Sequence, residues 1–134
     1  SNIKFQSQSK NYEVVDDVLL TNNRTKLVCY PAWKAVGAIK VPDSVKILER
    51  GAFSGCSRMT SIDLNNVEVI SKTCFTNCDS LKEINLTERI KYVGEWAFAH
   101  CKNLLSFTAF KETEIDNNAF SNTPAEIKII DRNS

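Results

Sequence analysis

The chain lacks most of what enzymes and membrane proteins carry. Its 134 residues hold no apolar run of the roughly 18 residues that a membrane-spanning helix needs. Neither sign of charge dominates. The 17 basic and 16 acidic side chains leave a formal net charge of +1, which excludes the basic face of a nucleic-acid binder and a polybasic membrane anchor. His100 is the single histidine, so a metal centre or proton relay built on paired imidazoles has no second ring. No phosphate-binding glycine loop, dinucleotide-binding glycine pattern or nucleophile elbow occurs. The sequence therefore predicts no catalytic residue, no metal ligand and no cofactor: the protein reads as a non-enzyme.

What is present is a period. Phe53, Phe75, Phe98 and Phe120 follow one another at steps of 22, 23 and 22 residues. The first three lie in Gly51-Ala52-Phe53-Ser54-Gly55-Cys56, Thr73-Cys74-Phe75-Thr76-Asn77-Cys78 and Trp96-Ala97-Phe98-Ala99-His100-Cys101, and the fourth in Asn118-Ala119-Phe120-Ser121-Asn122-Thr123. A fixed step of this length marks a stacked repeat array. Apolar runs keep the same beat: Val36-x-x-Ile39-x-Val41, Met59-x-x-Ile62-x-Leu64, Leu81-x-x-Ile84-x-Leu86 and Leu104-x-x-Phe107-x-Ala109. They define four coils, 36–58, 59–80, 81–103 and 104–125.

Within each coil a strand alternates, with Ile39, Ile62, Ile84 and Phe107 inward and Lys40, Asp63, Asn85 and Thr108 outward. A second apolar point follows at Leu48, Ile70, Val93 and Ile115. The one-residue difference in length falls in the turns Pro42-Asp43-Ser44, Asn65-Asn66 and Thr87-Glu88-Arg89, where insertions are tolerated. The Ala-Phe-x-x-Cys segment predicts a 3₁₀ or single α turn that brings the chain back. The expected fold is an α/β repeat, a right-handed solenoid with one parallel sheet in which the four inward residues stack on adjacent strands.

Residues 3–31 stand outside the period. Tyr12 to Leu20 and Thr25 to Tyr30 flank Thr21-Asn22-Asn23-Arg24 and predict a two-stranded hairpin. It is expected to cover the first coil, because an open solenoid end exposes a strand edge and an apolar cross-section. Trp33 is expected to pack beneath it. Residues 126–134 read as a closing strand with a polar end, so 1–134 forms a single domain.

Of the five cysteines, Cys56, Cys78 and Cys101 share one repeat position and Cys74 takes a slot held elsewhere by Ala52, Ala97 and Ala119. They read as buried free thiols acting as small apolar groups. A disulfide stays open on distance alone, since strands ~4.8 Å apart approach the ~5.5 Å between Cα atoms that the bond prefers. Side chains pointing the same way along one column fail its dihedral, however, and their wide spacing does not suit zinc.

The stretch Leu81-Lys82-Glu83-Ile84-Asn85-Leu86, continuing through Ile90-Lys91-Tyr92-Val93-Gly94-Glu95-Trp96-Ala97-Phe98-Ala99-His100-Cys101, resembles the BspA-type, or Treponema-type, leucine-rich repeat. The likeness runs over about residues 36 to 130. It departs at the strand-ending proline, kept only at Pro42, and in the fourth coil, where Thr123 replaces the Cys and Ala109 an aliphatic. The resemblance implies a leucine-rich-repeat solenoid from a secreted or cell-surface protein. It also implies adhesion to a host extracellular protein, a host cell or another microbe. A spacer that presents a neighbouring domain, or a carbohydrate-binding surface, are the alternative functions.

The candidate binding face follows from the outward positions. Ala38, Ser61, Glu83, Ser106 and Lys128 are expected in one row, and Lys40, Asp63, Asn85, Thr108 and Ile130 in the next, with Pro42, Asn65, Thr87 and Phe110 at the strand ends. Lys40, Asp63, Glu83, Asn85, Ser106, Thr108 and Phe110 are the partner-binding candidates there, and Tyr92 with Trp96 form a second, aromatic candidate. The expected partner is a protein, not nucleic acid, held by a monomer that inserts nothing into a membrane. Two sequons, at Asn23 and Asn85, are present, and a glycan on Asn85 would obstruct the candidate sheet.

Overall fold

The structure, a computed structural model, describes residues 11–131. The parts of the expected cap before Asn11 and of the closing segment after Asp131 lie outside the described residues. The strands are β1 (Tyr12–Val15), β2 (Val18–Thr21), β3 (Lys26–Cys29), β4 (Gly37–Lys40), β5 (Ile47–Leu48) and β6 (Met59–Asp63). They continue with β7 (Val69–Ile70), β8 (Glu83–Asn85), β9 (Tyr92–Val93), β10 (Ser106–Phe110), β11 (Glu114–Ile115) and β12 (Glu126–Ile130). Each coil has three sides: a longer strand, a two-residue strand at the second apolar point, and the turn that carries the Phe.

The two-residue strands build the most continuous ladder. Seven strands pair in the order β1-β2-β3-β5-β7-β9-β11. From β3 onward they are parallel, with Leu27, Leu48, Ile70 and Val93 in register and fully buried. The Phe side is tied from coil to coil as well. The amide of Tyr30 donates to Ala52 O at 2.9 Å, Phe53 to Cys74 O at 2.8 Å, Phe75 to Ala97 O at 2.7 Å and Phe98 to Ala119 O at 2.8 Å. Those amides hold the rings in a stack, with centroids 5.1, 5.1, 5.0 and 5.5 Å apart from Tyr30 through Phe120.

The thiols occupy the space behind this stack. Cys78 Sγ donates to Phe53 O at 3.3 Å and Cys101 Sγ to Phe75 O at 3.0 Å, each reaching the ring residue of the preceding coil. Thr123 Oγ1 makes the equivalent bond to Phe98 O at 2.5 Å, which explains why Cys and Thr exchange at this position. Cys56, Cys74, Cys78 and Cys101 are buried free thiols and Cys29 is exposed.

The long-strand side differs from the single sheet that the period predicts. It is divided into β4–β6, which places Ile39 beside Ile62, and β12–β10–β8, which places Ile84 beside Phe107. No ladder joins β6 to β8 among the described residues. The break coincides with the shorter coil: Ile62 to Ile84 is 22 residues, against 23 on either side. Val36 also leaves its expected column. Gly37, at φ 77°, takes the register of Met59, and a bulge before Ala38 turns Val36 outward.

No helix occurs among the described residues; the Phe segments carry isolated i→i+3 turn bonds, such as Ser54 N to Gly51 O at 3.0 Å and Ala99 N to Trp96 O at 3.1 Å. Two left-handed residues bracket each of the first three Phe: Gly51 and Gly55, Thr73 and Asn77, Trp96 and His100, with φ between 57° and 77°. A positive φ ends a right-handed run, so only isolated turns survive between them. The N-terminal cap is also more elaborate than a hairpin. Asp16 and Asp17, at φ 51° and 70°, form a tight reversal that splits the first run into β1 and β2. Trp33, expected to pack under the hairpin, is left 68% exposed, and it is Tyr30 that stacks on Phe53.

The C-terminal strand corrects the expected rows. Phe107 faces Ile127, only 20 residues on, because the last turn is short. Glu126, Lys128 and Ile130 therefore stand beside Ser106, Thr108 and Phe110, a shift of two residues from the predicted pairing. Ile127, Ile129 and Ile130 are all exposed on this edge strand.

Candidate functional site

The strand register brings most of the candidate residues onto one side. Lys40 lies beside Asp63 on β4–β6, while Glu83 lies beside Ser106 and Asn85 beside Thr108 on β8–β10. The break between β6 and β8 separates these two groups. Lys40, Asp63, Glu83 and Asn85 are exposed, and Ser106, Thr108 and Phe110 are half-buried. Several are tied locally: Asp63 Oδ1 accepts from the Asn65 amide at 2.8 Å, and Glu83 Oε2 accepts from Asn85 Nδ2 at 3.1 Å. Such bonds cut the freedom of the side chains before any partner arrives. Lys40 has a second neighbourhood, at the rim of a concavity of about 320 Å³ between β4 and the cap, floored by Val18, Leu20 and Tyr30.

Tyr92 and Trp96 are not on this side. Tyr92 belongs to β9 in the seven-stranded sheet, and Trp96 opens the Phe98 turn. Tyr92 lines a concavity of about 470 Å³ together with Glu49, Arg50, Lys72, Glu95 and Asp116. Trp96 lines a different one of about 290 Å³. Lys72 Nζ sits 5.3 Å from the Trp96 ring centroid and 3.5 Å from Glu95 Oε1, so the ring is held against a cation that is itself paired.

The role of Lys72 and Glu95 was missed in the sequence, although the period carries the signal. Arg50, Lys72 and Glu95 share one repeat position, as do Lys46, Glu68 and Lys91. In the latter column Glu68 reaches both lysines, at 3.9 and 3.5 Å. Reading charge down each column, as was done for apolar residues, would have found these ladders.

Cys56, Cys74 and Cys78 offer little nucleophilic chemistry. Burial, with a smaller contribution from Cys29, pushes Cys56 up from 9.0 to about 11. Cys78 is driven above the ordinary thiol range, first by its contact with the Cys101 thiol and then by burial. Burial likewise raises Cys74. Protonated thiols of this kind are poor nucleophiles. Among the described residues no group of three or more His, Cys, Asp or Glu side chains is placed to hold a metal ion, and no helix is long and apolar enough to cross a membrane.

Stacked parallel coils define a β-solenoid. A model of the BspA type leucine rich repeat region matches residues 29–133 in six copies, and the chain belongs to this family. Solved structures agree. A leucine-rich repeat protein from Eubacterium ventriosum matches 73% of the chain at 26% identity and TM-score 0.69. A leucine rich cell surface protein from Faecalibacterium prausnitzii matches 93% at 25% identity and TM-score 0.70. The pneumococcal vaccine antigen PcpA shares the fold, with 92% covered at 22% identity and TM-score 0.64. The chain spans only 27%, 40% and 37% of those three structures' lengths. No curated protein matches it significantly.

Proposed function

We propose that this chain is a non-enzymatic protein-binding module of a secreted or cell-surface protein, and that it serves in adhesion. The observation that carries this reading is the register of the long-strand side. It sets Lys40 against Asp63, Glu83 against Ser106 and Asn85 against Thr108 on a rigid scaffold. A partner that meets such a face loses its own freedom but orders little of the module. The similarity to a leucine rich cell surface protein supports the location. Residues 1–134 act in this reading as one monomeric domain, with 3–31 as cap, 36–125 as the four working coils and 126–134 as the closing segment.

The test is charge reversal at Asp63→Lys with Glu83→Lys, measured against a panel of purified extracellular-matrix proteins. A protein partner on this face should lose on-rate and change its salt dependence, while stability moves by no more than ~0.5 kcal/mol. Unchanged binding at low salt removes the face from consideration. A spacer role is favoured by one specific observation, the missing ladder between β6 and β8, which divides the face in two. A spacer gives no binding to any protein in the panel, with or without the substitutions.

A further inference from the structure

Trp96 is held in a conformation that tryptophan disfavours. Its φ is 58°, in the left-handed region where a Cβ crowds the backbone. The same turn position is held two coils earlier by Gly51, at φ 68° and with no such cost, and one coil earlier by Thr73, at φ 57°. Strain of this kind persists where something else requires the side chain. Core packing does not supply the requirement, because the ring is 42% exposed and belongs to no part of the buried cluster.

The surroundings of the ring indicate what does. Lys72 covers it from one side, and Lys72 does not line the concavity that Trp96 borders. That concavity measures about 290 Å³, at the lower end of the roughly 300–1,000 Å³ of small-molecule sites. Buried Ala99 lines it together with Thr73, Thr76, His100, Ser121 and Asn122. The Thr76 hydroxyl is paired with that of Ser54 at 2.6 Å and Ser121 Oγ donates to Asn118 O at 3.2 Å, and each keeps acceptor capacity. His100 and Asn122 are themselves left-handed, at φ 59° each, so the backbone turns at both of these lining residues. An aromatic wall, a small apolar side chain and neutral hydrogen-bonding groups suit a ligand with one apolar face and many hydroxyls. No charged side chain lines the space, which disfavours an anionic ligand.

We propose that this concavity binds one neutral pyranose ring of a glycan, its C–H face against Trp96 and its hydroxyls toward Thr76, Ser121, Asn122 and His100. The site lies on the turn side of the solenoid, apart from the long-strand face, so it stands or falls independently of protein binding there. A ring wall polarised by a cation on its far side is fixed in place beforehand, which lowers the cost of capturing a weakly held sugar.

The test uses Trp33→Phe, which leaves Trp96 as the single tryptophan and hence the only indole reporter. Methyl glycosides of glucose, galactose and N-acetylglucosamine are titrated into the millimolar range while Trp96 emission is followed. A saturable change with at least one of them is expected, and Asn122→Ala should weaken it severalfold. Trp96→Gly, measured by ligand-detected NMR, should abolish binding and leave the melting temperature equal or higher, because glycine relieves the left-handed strain. A flat titration with all three glycosides overturns the proposal. So does a melting temperature several degrees lower in Trp96→Gly, which would make the ring a structural cover.

Discussion

The two ends of the described solenoid are covered to different extents. At the N-terminal end three antiparallel strands fold over the first coil, and β3 enters the parallel ladder beside β5. Tyr30 lays its ring on Phe53, and Val18 and Leu20 are buried. The Glu13–Arg24 ion pair, 3.0 Å apart, closes the outside of the cap. At the C-terminal end of the described residues the cover is thinner. Phe120 is only partly buried, and β12 pairs on one side alone while showing Ile127, Ile129 and Ile130 to solvent. A repeat array obtains its stability from neighbours, so a coil's worth depends on how many faces are covered rather than on its own residues. The same Phe in the same turn should therefore count differently along the chain.

The largest expected contrast lies within the ring column. Phe75→Ala, buried between Phe53 and Phe98, should cost ~3–5 kcal/mol. Phe120→Ala should cost clearly less, as urea unfolding would report. Equal losses would break the contrast between a flanked coil and a terminal one. A smaller contrast tests the two ends directly. Leu20→Ala, at 2% exposure in the cap, should cost about 2–3 kcal/mol, whereas Ile129→Ala, at 55% exposure on β12, should stay within about 0.5 kcal/mol.

The smallest effect sharpens the N-terminal side through pH. Cys56 is raised from 9.0 to about 11 by burial, so an unfolded chain loses this proton before the folded one does. Its contribution is complete below about pH 9 and is lost as pH rises toward 11, roughly 2 kcal/mol in all. The alkaline slope of the urea midpoint should shrink in Cys56→Ala. An unchanged slope would place the alkaline loss in other groups.

How much of this could be read from the residues depends on which physical signal each feature leaves. The ring column and the second apolar points were legible because Phe and aliphatic residues recur at a nearly fixed step. Tyr30 and Leu27 extend both columns into the cap, 23 and 21 residues before Phe53 and Leu48, but a Tyr in place of Phe and the lack of the Ala-Phe-x-x-Cys signature hide the step. The turn conformation was hidden for another reason: Thr73 and Trp96 sit at left-handed positions that residue type argues against, and only Gly51 and Gly55 advertise them. The broken long-strand side left a single trace, the one-residue deletion at Asn65-Asn66. Lys40, Asp63, Glu83 and Asn85 were placed outward by simple alternation. The pairing of β12 was not, because the last turn is short and its residues depart from the repeat. Trp96 was singled out as an exposed ring, but the strain that gives it meaning is a backbone property with no signature in the sequence.

Amide hydrogen exchange followed residue by residue tests the asymmetric stack most directly. Protection should be greatest for the amides of Phe53, Phe75 and Phe98, which donate to the next coil, and β3 should be nearly as slow under its cap. Strand β12 should exchange first, followed by the Phe120 turn. Equal protection of β12 and β3, or a cap that opens before β12, would contradict a stack better covered at β3 than at β12.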